Sequence, residues 1–134
     1  MIPFPLADVR PAFHAAAIAF VPDLAAAGAG VWATLEAIVA QALADRPPAV
    51  VRQLRLFVRV VDLLSRLRYG RSLVRLDVGH RAALLATLER SPVLLLRRGV
   101  WGLRTLVLMG YYTQPAIGAA LGYAAHANGW ADRR

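Results

Sequence analysis

Between its prolines and glycines the chain places apolar residues at intervals of three and four, the repeat at which an α-helix returns to one face. Val31, Leu35, Ile38, Val39 and Leu43 form the first clear stripe. It opens after Gly28 and Gly30 and closes at Pro47-Pro48, where proline bars further helix. The next segment, Ala49 to Arg68, repeats Val50, Leu54, Phe57, Val61 and Leu64 on one face. Arg52, Arg55, Arg59, Asp62 and Arg66 repeat on the other, which marks an amphipathic helix with a basic side. Gly70 suits the left-handed turn that ends such a helix. After the basic connector Arg71-Ser72-Leu73-Val74-Arg75, Asp77 can cap a helix over Val78 to Arg90, whose start Gly79 weakens slightly.

Pro92 opens a further helix, Val93 to Tyr112, and Gln114-Pro115 ends it ahead of a small-residue helix from Ala116 to Tyr123. At the front, Asp8 is placed to cap a helix with Pro11 in its opening turn, running through Phe20 to Pro22. No stretch alternates apolar and polar residues between turn signals, so no sheet is expected. The pattern predicts an all-α fold, a compact orthogonal bundle of five or six helices. It forms a single domain over residues 1–134, with 124–134 a frayed tail.

Composition adds a surplus. Of 134 residues, 58% are apolar, more than a self-sufficient soluble domain needs, which predicts apolar surface left for a partner or a bilayer. The formal charge is +8 and every basic residue is Arg, a bias that GC-rich coding explains better than a selected phosphate-binding surface does. The absence of Cys removes disulfides, thiolate catalysis and cysteine metal sites together. No basic stretch precedes an apolar run near Met1, so a cytoplasmic chain is expected, reaching the periplasm only if a partner carries it.

Candidate chemistry is sparse. His14, His80 and His126 lie far apart, and Ser65, Ser72 and Ser91 have no base at a useful spacing, so neither a metal site nor a nucleophile is expected. Gly28-Ala29-Gly30 lacks the preceding strand and third glycine of a dinucleotide loop and reads as a turn. The apolar run Val93 to Met109 holds Arg97, Arg98 and Arg104. Two adjacent arginines at mid-span cost about 5–7 kcal/mol against roughly 0.3–0.6 gained per Leu, Val or Ile, so spanning is disfavoured. Membrane contact, if any, is peripheral, through Arg faces on anionic lipid. Nucleic acid is not an expected partner, because the arginines are not gathered with base-reading side chains on one helix.

An ordered series in the second half carries a resemblance. It runs Leu76-Asp77-Val78-Gly79-His80-Arg81-Ala82-Ala83-Leu84-Leu85, Leu88-Glu89-Arg90-Ser91 and Arg97-Arg98-Gly99-Val100-Trp101. It closes with Gly110-Tyr111-Tyr112-Thr113-Gln114-Pro115 and Leu121-Gly122-Tyr123. The series, within a similarity spanning roughly Phe13 to Tyr123, resembles the gluconate 2-dehydrogenase subunit 3 family. It is also similar to the helical extension that precedes the flavin domain in some long-chain alcohol oxidases. The resemblance implies a small, non-catalytic subunit with no cofactor of its own. Its partner would be a catalytic flavoprotein of the glucose-methanol-choline type, which holds FAD and oxidises an alcohol or sugar hydroxyl. Many family members carry a twin-arginine export signal, which this chain lacks, so stabilisation of the partner is expected rather than escort.

Residue types at the expected interface agree with that implication. Arg98, Trp101, Tyr111, Tyr112, Pro115 and Tyr123 fall late in the chain, and aromatic residues with Arg dominate interface hot spots. The same aromatics could equally fill the core, and both readings stand here. Arg52, Arg55 and Arg59 are expected to meet an acidic patch on the partner. The alternative function is a free-standing helical protein that attaches peripherally to a membrane or binds nucleic acid through these Arg faces.

Overall fold

The computed structural model describes residues 3–115 and Ile117. Within them the chain forms α1 (Arg10–Phe20), α2 (Ala29–Ala44), α3 (Pro48–Tyr69), α4 (Val78–Glu89) and α5 (Leu94–Tyr112). Short 3-10 turns occupy Ala7–Val9, Pro22–Ala26 and Leu73–Arg75. The fold is an all-α bundle, as the apolar spacing predicts. Of the expected helix from Ala116 to Tyr123 only Ile117 is described, helical and packed against the core, and the tail 124–134 lies outside the described residues.

The breakers act where the sequence places them. Pro11 and Pro48 sit in the opening turns of α1 and α3, where a missing N–H costs nothing. Gly70 ends α3 at φ 71°, and its N–H donates to the Arg66 carbonyl. Asp77 caps α4 by accepting the His80 backbone N–H at 3.2 Å. Asp8, by contrast, does not cap α1. The chain first makes the 3-10 turn, so Val9 holds the N-cap position and no side chain caps it. The Asp8 carboxylate faces Arg55 and Arg59 instead.

α5 is the hub, touching each of the other four helices, most extensively α2. Two close approaches allow this. A Cβ on Gly99 would lie 2.3 Å from the Phe57 ring of α3, and one on Gly110 would lie 3.0 Å from Leu35 of α2. The core runs through Phe13, Leu24, Leu35, Val39, Val58, Val61, Leu73, Leu103 and Val107, all essentially inaccessible. Each such side chain stabilises the fold by about 1.5–3 kcal/mol through burial.

The basic connector after α3 is tied down by polar side chains. The Ser65 hydroxyl, fully buried, donates to the Arg71 carbonyl at 2.7 Å, and Asp62 accepts the Leu73 N–H at 2.8 Å. From α4, Arg81 donates to the Leu73 and Val74 carbonyls at 2.9 and 2.7 Å. Asp62 and Arg81 thus satisfy backbone groups that no helix ladder reaches.

Candidate functional site

Twenty-two residues of α3 present two different apolar faces. The inner one, Leu54, Phe57, Val58, Val61 and Ser65, is buried against α5 and α1. The outer one consists of Leu56, Leu63 and Leu67, exposed by 61%, 54% and 74%, with half-buried Val60 between them. Three large leucines in water on one helix form a patch, since helical spacing stacks them turn on turn.

The expected basic trio beside this patch is divided by the fold. Arg52 and Arg59 point outward. Arg55 turns in, donating from Nη2 to the Pro5 carbonyl at 2.9 Å and so strapping the N-terminal segment to α3. Its Nε is shielded from water without a hydrogen bond, 3.9 Å from the Asp8 carboxylate. Arg59 Nη2 reaches the same carboxylate at 3.9 Å. Arg55 therefore serves the fold, and the outward basic row of α3 is Arg52, Arg59 and Arg66. Arg66 also pairs with Asp62 one turn earlier at 3.2 Å.

The late aromatic set is divided as well. On α5, Arg98 is exposed and Trp101 is 65% exposed, next to exposed Leu94 and Leu95. Tyr111 is buried, with its ring 4.9 Å from that of Tyr112 in an edge-on contact. Withdrawal from water raises the Tyr111 phenol pKa above its ordinary value, and the charges of Asp23 and Tyr112 add to the effect. Tyr112 and Pro115 are exposed, while Tyr123 lies outside the described residues. The residue that locks this corner is Gln114. It is buried, and its Nε2 donates to the Gly110 carbonyl at 2.9 Å and to the Val31 carbonyl of α2 at 3.1 Å.

The titratable groups form two small clusters. Glu36 of α2 accepts from Arg10 of α1 at 3.1 Å and lies 2.6 Å from His14, whose ring stacks on Trp32 at 4.0 Å. Both carboxylate oxygens are engaged, so this group braces α1 against α2. At the start of α4, the Asp77 carboxylate is bonded by the His80 ring and backbone N–H, which hold its pKa below the ordinary carboxylate value. The His80 ring packs edge-on to Tyr69 at 5.0 Å. A wide-open depression of about 510 Å³ lies here, bordered by Arg71 and Arg75. Among the described residues no three His, Asp or Glu converge as a metal site, and no helix is long and apolar enough to cross a membrane.

The surface-forming residues missing from the sequence reading are Leu56, Leu63 and Leu67. Their signal is present in the sequence as the spacing four, three and four through Val60, with Arg52, Arg59 and Arg66 running seven apart beside it. Compared with known proteins, the chain matches no family model, no curated protein and no solved structure.

Proposed function

We propose that the chain is a non-catalytic accessory subunit that binds and stabilises an FAD-dependent alcohol or sugar dehydrogenase of the glucose-methanol-choline type. The observation that carries a binding role is the outer face of α3, where Leu56, Leu63 and Leu67 stand in water beside an outward arginine row. Single exposed apolar residues are ordinary, but a contiguous row of large ones marks a surface suited to a partner. The exposed Trp101 and Arg98 of α5 supply the residue types that anchor interfaces. The choice of a flavoprotein rests on the sequence resemblance, an argument by analogy. In this reading the flavin and the redox step belong to the partner, and this chain contributes surface.

Co-expression with a glucose-methanol-choline flavoprotein encoded beside it tests the proposal. The expected result is a stable yellow complex whose flavin content falls when this chain is omitted. A flavoprotein that retains full flavin and activity alone and never co-purifies with the chain would overturn it.

A second reading draws on a different observation. Val93, just before α5, and Leu94, Leu95 and Trp101 on it are exposed among Arg97, Arg98 and Arg104, a mixture suited to the interface of an anionic bilayer. Co-sedimentation with anionic but not neutral vesicles, lost in Trp101→Ser, would favour it over the subunit role.

A further inference from the structure

The outer face of α3 has an order that a merely leftover patch would lack. Leu56, Val60, Leu63 and Leu67 follow the four-three-four spacing of a coiled-coil seam, with Leu56 and Leu63 in the d positions and Val60 and Leu67 in the a positions. Arg52, Arg59 and Arg66 then all occupy g, the position that meets the charged flank of a partner helix. The e positions on the other flank are Val50, Phe57 and Leu64, partly or fully buried toward the bundle. The seam thus has one apolar shoulder, one cationic shoulder and an exposed middle.

α5 extends the apolar shoulder. Gly99 lies against Phe57 and Gly102 against Leu54, so the two helices run antiparallel at this crossing. Leu95, one turn before Gly99 on the same face of α5, is 70% exposed. A rod lying along α3 from Arg52 to Leu67, about 22 Å, would rest on the leucine seam with the Val50, Phe57 and Leu64 flank on one side and the arginine row on the other.

We infer that this face docks an amphipathic α-helix with an apolar a/d stripe and Asp or Glu on the flank apposed to Arg52, Arg59 and Arg66. The inference rests on the accessory-subunit reading and specifies the element that the partner supplies. Charge decides between the occupants. α3 carries five arginines and a single acid, Asp62, which is already bonded to Arg66 and to the Leu73 N–H. Even with Asp8 3.9 Å from Arg59, a second copy of this face brings more arginine than acid and cannot neutralise the row. Antiparallel self-pairing sets arginine against arginine, and parallel self-pairing sets it against Val50, Phe57 and Leu64. An acidic helix satisfies both shoulders at once, with the seam supplying affinity and the arginines supplying orientation and encounter rate.

The test uses the full chain and two fluorescent four-heptad peptides with Leu at a and d, one with Glu at e and g and one with Lys there. Like charges on each peptide oppose its self-pairing. The Glu peptide should bind by anisotropy and the Lys peptide should not. Leu63→Asp should weaken binding at least about tenfold, a hot-spot effect, without changing the thermal melt, since Leu63 is half in water. Arg59→Glu leaves Arg52 and Arg66 in the row, so it should narrow the preference for the Glu peptide and weaken the response to salt without reversing it. Equal binding of both peptides, or of neither, overturns the inference. So does a homodimer that Leu63→Asp dissolves, or anionic vesicle binding that the same variant abolishes. A flavoprotein complex unaffected by Leu63→Asp sinks this inference alone. Peptide binding without any flavoprotein complex sinks only the choice of flavoprotein.

Discussion

α3 and α5 are the two longest helices, and both mix leucine, valine and arginine, yet the fold uses them in opposite ways. α5 meets every other helix, and its glycines at 99 and 110 let neighbouring side chains reach its backbone. α3 buries one side and leaves a second apolar row in water. The difference lies in where small residues fall. Glycines at 99 and 110 let α5 be approached closely from two neighbours, whereas α3 packs large side chains on one face and leaves another row of them in water. Apolar content by itself therefore does not report burial, and the surplus in this chain is concentrated rather than spread.

Substitutions that break this comparison should differ most in stability. Leu103→Ala, removing a fully buried side chain from α5, should lower unfolding free energy by about 2–5 kcal/mol in denaturant titration. Gly99→Ala should cost about 1–3 kcal/mol, because the added methyl meets the body of the Phe57 ring rather than a flexible tip, and a melt unchanged from the parent would contradict that packing. Leu67→Ser on the outer row of α3, at 74% exposure, should shift stability by no more than about 0.5 kcal/mol while raising solubility.

The smallest effect concerns pH. Asp77 has its pKa lowered in the folded chain, chiefly by the hydrogen bond from the His80 ring, so it binds its proton more readily when unfolded. Its contribution is present above the ordinary carboxylate value of 3.8 and is lost as pH falls below it toward the depressed folded value. Asp77→Asn keeps a capping oxygen but no titration. Its acid-unfolding curve should therefore be slightly flatter than the parent's over that window, as followed by helical ellipticity.

Much of the fold was legible because local punctuation decides it. Pro47-Pro48, Gly70 and Asp77 fix the ends of α2, α3 and α4 through constraints carried by single residues. What escaped depends on distance in sequence. Asp8 reads as a helix cap, but its carboxylate faces arginines two helices away. Gln114 reads as part of a break, but its amide grips a carbonyl 83 residues earlier. Arg55 and Tyr111 have the residue types of an interface, yet Arg55 straps the N-terminal segment and Tyr111 is buried, because type does not tell which way a side chain turns. The outer leucines of α3 escaped for another reason. Once an inner apolar stripe accounts for a helix, a second stripe on its far side is hidden within a composition rich in leucine.

The tether around the turn after α3 has a mechanical meaning. Ser65, Asp62 and Arg81 anchor the connector from both flanking helices, and Arg55 holds the opposite end of α3 to the N-terminal segment. α3 is thus tethered near both ends, which opposes rolling about its own axis. Its leucine row behaves as a fixed rail whose heading is set before any encounter, so the ordering penalty of association would fall almost wholly on whatever comes to lie along it.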